Sequence, residues 1–198
     1  MLCAIVMTER AARIVDTLIG LDPMSDLPRT GWLLRGIRPC ESIADHSYGV
    51  AVTVMLLCDA LRAAGVEVDG ERALRLALVH DVPEAKTGDI PMPQKTAALG
   101  EALGELEAKI ARSLLPDPSL FVEAAASISL EARLVKAADK IQMMTKALLY
   151  ERQGRGDLHE FWANERNFGA RGFEIAEEIF ALLKARHADP SSWELGRV

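Results

Sequence analysis

The chain of 198 residues is poor in aromatics, with three Trp, two Tyr and five Phe, and holds only three cysteines and four histidines. Cys3, Cys40 and Cys58 are odd in number and irregularly spaced. That excludes a disulfide scaffold and a Cys-x-x-Cys zinc site, and they read as small thiols of a reducing compartment. Basic charge is also in short supply: 23 Lys and Arg against 29 Asp and Glu give a net charge of −6. No broad basic face is available for polymeric nucleic acid, although single basic groups can hold a small phosphate. The longest nearly apolar run, Val50–Cys58, falls far short of the ~20 residues that span a bilayer. The apolar opening Met1–Met7 has no basic region before it, and an acid and arginines follow at once, so it does not read as a signal peptide. The expectation is a soluble, cytoplasmic protein with no membrane partner.

Leucine and alanine dominate the apolar residues, which suits helices better than strands. Apolar periodicity predicts helices at about Thr8–Ile19, Ile43–Ala64, Gly70–Lys86, Ala97–Leu115, Ser119–Ser129, Leu130–Arg152 and Leu158–Ala185. No segment reads as a strand, and neither a repeat nor a linker of domain scale interrupts the chain. The fold class is therefore all-α, a single domain over residues 1–198. The longest irregular stretch, Gly20–Cys40, carries Pro23, Pro28, Gly31, Gly36 and Pro39, and long ordered loops in helical domains are often functional.

Helix ends carry physical signals. Ser42-x-x-Asp45 reads as a capping box. Asp69 can cap the helix after it, with Glu71 placed favourably in the helix dipole, and Gly88 reads as a C-terminal stop. Pro83 lies inside a helical pattern, where it lacks a backbone donor and should bend or end the helix.

The histidines and acids in apolar surroundings carry the chemistry. His80 and Asp81 are adjacent at the end of the apolar run Leu74–Val79, where an unpaired carboxylate is costly to bury. His46 opens a strongly apolar helix, and Asp139 borders the apolar face of another. Singly, each has an ordinary reading, a hydrogen-bonded core histidine or an acid beside a lysine. Together, two imidazoles and two carboxylates from three helices form a set that suits a borderline divalent metal.

The order His46, then His80-Asp81, then Asp139 resembles the HD phosphohydrolase superfamily. Gly31-Trp32, Glu41-Ser42-Ile43-Ala44-Asp45-His46-Ser47, His80-Asp81-x-x-Glu84, Thr87-Gly88-Asp89-Ile90-Pro91 and Val135-Lys136-x-x-Asp139 are similar to its YfbR-type 5′-deoxynucleotidase branch. Trp32 stands fourteen positions before His46, the separation found in that branch. The match covers about residues 30–150, with flanking helices at both ends.

The resemblance implies an all-helical HD domain, commonly a homodimer. It implies one divalent ion (Mn, Co, Fe, Zn, Ni or Mg) held by His46, His80, Asp81 and Asp139. The implied substrate is a nucleoside 5′-monophosphate, preferentially a deoxynucleotide, cleaved to nucleoside and phosphate. The alternatives are an HD-type phosphodiesterase or pyrophosphohydrolase on another nucleotide, and a non-catalytic, metal-stabilised nucleotide-binding dimer.

Glu84, four residues after His80, would share its face on a regular helix and is the candidate general acid/base; the alternative is a surface acid pairing with Lys86 or Arg75. Asp89 either contacts the sugar, orients the attacking water, or caps a turn at Pro91. Arg35, Arg38, Lys86 and Lys95 are candidate phosphate groups, and of these Lys95, in Pro91-x-Pro93-x-Lys95, matches the branch best. Trp32 offers a flat wall to a sugar or base, or simply an apolar plug. In the branch the equivalent tryptophan is associated with excluding the ribose 2′-hydroxyl, but bacterial members carry arginine immediately before it, where this chain has Gly31. His159 and His187 receive no role. Met143-Met144 and Phe161-Trp162 read as core or dimer interface.

Overall fold

A computed structural model describes residues 2–91, 97–189 and 191. Its helices are α1 (Leu2–Leu21), α2 (Pro23–Asp26), α3 (Thr30–Leu33), α4 (Ile43–Ala63), α5 (Gly70–Val79), α6 (Glu84–Thr87), α7 (Ala97–Leu114), α8 (Ser119–Ala126), α9 (Leu130–Arg152), α10 (His159–Ala163) and α11 (Glu174–Ala188). The only extended pairing among the described residues is an isolated bridge between Pro28 and Ser42. The fold is all-α, as the composition implies.

Helices α4, α5 and α9 pack on one another at the centre, with α8 and α11 against them and α7 beside α1 at the periphery. On α4 the buried residues Ile43, His46, Val50, Val54, Leu57 and Leu61 recur every three or four positions, a stripe that turns one face inward. Val50, Val54 and Leu57 meet Leu76 of α5, Leu134, Ile141 and Met144 of α9 and Phe180 of α11 in the larger core. A smaller core joins Met24, Ile43, Val82, Leu114 and Phe121. His46 stands between the two, three residues after Ile43 and four before Val50.

The capping signals hold. Ser42 and Asp45 form a reciprocal capping box, Asp69 accepts from the Arg72 amide, and Gly88 ends α6 at φ +71°, a conformation that costs glycine little. Three expectations need correction. The helix expected over Gly70–Lys86 is two helices: Pro83 has no N–H to give the Val79 carbonyl, which instead accepts from the Val82 amide at 3.2 Å. The helix expected over Leu158–Ala185 is broken by a 3-10 turn at Glu165–Phe168, opened by Asn164 capping the Arg166 amide, and by Gly172 at φ +85°. The stretch Gly20–Cys40, expected to be irregular, contains the short helices α2 and α3.

Candidate metal centre

The ends and middles of three elements converge. His46 comes from the first turns of α4, fully buried; His80 and Asp81 come from the turn between α5 and α6; Asp139 comes from the middle of α9. The helix break matters here. Neighbouring residues of a regular helix diverge, whereas the turn lets His80 Nε2 and Asp81 Oδ2 approach to 3.2 Å. Donor atoms of His46, His80 and Asp81 all lie within 4.8 Å of one another. Asp139 Oδ1 is 3.4 Å from His46 Nε2, and Asp81 Oδ2 is 3.6 Å from the same atom.

Both imidazoles are held from behind. His46 Nδ1 lies 2.6 Å from Gln142 Oε1, and His80 Nδ1 lies 2.6 Å from the Ala77 carbonyl. An oxygen acceptor at Nδ1 fixes the proton there and leaves a lone pair on Nε2. Neither buried Nε2 has a hydrogen-bond partner. Two such atoms aimed at two carboxylates fit a divalent ion, since burial without a partner is otherwise costly.

The electrostatics agree. Burial works against ionised Asp81, but His80, Arg29 and His46 hold its carboxyl far below the ordinary range. Burial likewise opposes ionised Asp139, and Lys140, His46 and His80 outweigh it. For His80, burial disfavours the cation while Asp81 and Asp139 raise its pKa above the ordinary value.

A cation absent from the sequence expectations sits in this cluster. Arg29 Nη1 lies 3.4 Å from Asp81, 3.7 Å from Glu84 and 3.3 Å from Asp89. Burial disfavours its charge, but the surrounding carboxylates keep it protonated throughout. The chain brings it there by pairing residues 27–29 with 41–43: the Arg29 amide donates to the Glu41 carbonyl at 3.0 Å and the Ile43 amide to Leu27 at 2.9 Å. The only sequence signal was its place two residues before Gly31-Trp32.

Glu84 is buried and faces Arg29, so it is not a surface acid on Lys86, and Arg75 pairs with Glu71 instead. Asp89 also faces inward, accepting from the Thr30 amide at 2.6 Å, so it fastens the start of α3. Trp32, read as a flat wall to a sugar or base or as an apolar plug, is only 2% exposed. Its ring stacks on Phe161 and meets Tyr150 edge-on, and its indole N–H donates to Glu41 at 2.8 Å. Arg35, expected at a phosphate, pairs with Glu160 and lies over the Phe161 ring. Lys95 lies outside the described residues.

The chain is similar to known proteins. The family profile described as HD domain matches residues 22–179. The 5′-deoxynucleotidase hdd1 of Schizosaccharomyces pombe is 34% identical over 170 residues, covering 79% of this chain and 83% of that protein. The 5′-deoxynucleotidase HDDC2 of Danio rerio is 33% identical over 168 residues, covering 80% and 78%. Among solved structures, the PH0347 protein of Pyrococcus horikoshii superposes with a TM-score of 0.75 at 34% identity, over 88% of this chain and 98% of that one.

Proposed function

The chain belongs to the HD-domain family, and from that premise we propose that it is a metal-dependent 5′-nucleotidase cleaving deoxynucleoside 5′-monophosphates to nucleoside and phosphate. The activity is the one its relatives in fission yeast and zebrafish carry in their names. The observation that carries the reading is the pair of buried Nε2 atoms, each on a ring anchored through Nδ1 and each without a hydrogen-bond partner, beside Asp81 and Asp139.

His46, His80, Asp81 and Asp139 would hold the ion. Bound there, it would supply Lewis acidity and neutralise phosphate charge. Arg29 releases part of its hold on Asp81, Glu84 and Asp89 to bind a phosphate oxygen, a task that suits a guanidinium fork. Glu84 takes the proton of the attacking water and returns it to the leaving oxygen of the sugar. Asp89 keeps Arg29 and the start of α3 in place through two separate contacts. The chain works in the cytoplasm as a homodimer, a state supported by the exposed apolar residues Ile14, Val15, Leu18 and Ile19 of α1. No helix among the described residues is long and apolar enough to cross a membrane.

The test is phosphate release from a panel of ribo- and deoxynucleoside mono-, di- and triphosphates, after chelation and re-addition of each candidate metal. Release from deoxynucleoside monophosphates that stops on chelation is expected. Metal-independent release, or release only from polyphosphates, would overturn the proposal.

A further inference from the structure

The acceptor behind His46 is itself held in a chain. The Gln142 side-chain amide donates through Nε2 to Glu41 Oε2 at 2.9 Å and presents Oε1 to His46 Nδ1. The other oxygen of Glu41 accepts from the Trp32 indole at 2.8 Å. Glu41 is 5% exposed, and its own amide donates to the Tyr150 hydroxyl at 2.9 Å. The path is also built sterically. Gly49, on α4, leaves the space Gln142 occupies: a Cβ there would stand 2.9 Å from Gln142 Cγ and 3.1 Å from its Nε2.

We propose that Trp32 and Glu41 are positioning residues that set which nitrogen of His46 carries the proton, acting through Gln142. This rests on the reading of His46 as a ligand. A carboxylate only accepts hydrogen bonds, so Gln142 has to turn its NH2 toward Glu41 and its oxygen toward His46. The proton then stays on Nδ1 and the Nε2 lone pair stays available. Hydrogen-bonded partners behind metal-binding histidines are worth ~10–100-fold in metal affinity.

The polarity of the chain gives it a signature. In Glu41→Gln, the Trp32 N–H can only donate, and its 2.8 Å bond outweighs the Lys146 ammonium 3.7 Å from the other oxygen, so the introduced amide turns its oxygen to Trp32 and its NH2 to Gln142. Gln142 then turns over and offers NH2 to His46 Nδ1, which drives the proton to Nε2 and blocks ligation. Adding Trp32→Phe frees the introduced amide to turn round, give its oxygen to Gln142 and restore the original order. The added Trp32→Phe does not alter charge.

The experiment measures Mn²⁺ affinity of the full chain by equilibrium binding with spectroscopic detection of free Mn²⁺, with thermal melts to establish folding. Glu41→Gln is expected to bind Mn²⁺ ~10–100-fold more weakly, and Glu41→Gln with Trp32→Phe to bind more tightly than Glu41→Gln alone. If Trp32→Phe deepens the loss, or Glu41→Gln binds as wild type does, the inference is overturned. Should Glu41→Gln fail to fold, Gln142→Met removes the acceptor at similar volume, and an unchanged affinity there overturns it equally. Wild-type protein that binds no Mn²⁺ would instead overturn the ion centre itself, and the inference with it.

Discussion

Replacing Gly49 by alanine sets two effects against each other. In a helix interior, alanine is favoured over glycine by ~1 kcal/mol, so an unobstructed site would gain stability. At Gly49 the added methyl would lie 2.9 Å from Gln142 Cγ, well inside the ~3.5–4.0 Å of a favourable carbon contact. Gln142 has to move by more than half an ångström, and its bond to His46 Nδ1, at 2.6 Å, has no slack for that. Overpacking costs ~1–3 kcal/mol, and the broken hydrogen bond adds ~1 kcal/mol. The helix gain is thus offset or outweighed, and Mn²⁺ affinity falls by ~10–100-fold. Gly104 on α7 is the control, since a Cβ there meets nothing within 4 Å. Gly104→Ala should raise Tm by ~2–4 °C. Thermal melts and Mn²⁺ binding on both variants read the contrast. A Gly49→Ala protein with a Tm raised as in Gly104→Ala and with wild-type Mn²⁺ affinity would refute the reasoning.

Glu84→Gln should lower phosphate release by ~10²–10⁴-fold while bound metal per chain stays at the wild-type level; full turnover would remove Glu84 from proton transfer. Arg29→Met removes the cation shared by Asp81, Glu84 and Asp89 and should cut kcat/KM by ~10–100-fold, the range of a charged hydrogen bond, with Mn²⁺ bound at least as tightly as before because the site becomes more negative. Weaker Mn²⁺ binding in that variant would assign Arg29 to holding the ligands rather than the phosphate. Away from the site, Glu123 accepts from Arg72 and from Ser129, the N-cap of α9, and the Arg72 bond, against some opposing burial, lowers its pKa. A depressed carboxylate contributes stability above its unfolded value of 4.5 and loses it as pH falls through the folded pKa. The Tm deficit of Glu123→Gln should therefore be full at pH 7 and shrink below about pH 4.5; a deficit constant down to pH 3 would exclude ionisation as its source.

Most of the helical frame was legible in the sequence because its signals are local. The spacing of apolar residues outlines α4 and α9, and Ser42, Asp69 and Gly88 mark ends through bonds made within a few residues. Pro83 announced the break, although a helix through His80 and Glu84 was still the natural extrapolation, and the turn changes how those side chains meet. The four candidate ligands stood out because polarity in an apolar helix needs a reason. Arg29 did not stand out, and Glu41 did so only as the first residue of the motif around His46: both reach the site through one short pairing of residues 27–29 with 41–43, a contact with no periodicity. Trp32 was noticed, but its direction was not legible. Burial between Phe161 and Tyr150 depends on how α10 and α9 pack, and sequence spacing carries no record of that. Arg35 shows the converse case, since nearness along the loop made it a phosphate candidate while in the structure it pairs with Glu160 on α10.

The most direct test is metal content per chain, measured by elemental mass spectrometry on Asp139→Asn beside wild type after reconstitution with Mn²⁺ and desalting. Near one ion per chain in the wild type and a large loss in the variant are expected, because α9 has to supply a carboxylate for α4 and the α5–α6 turn to close on a common ion. Equal and full occupancy in both would mean that these three elements do not share a metal, and the nucleotidase chemistry built on that ion would have no centre.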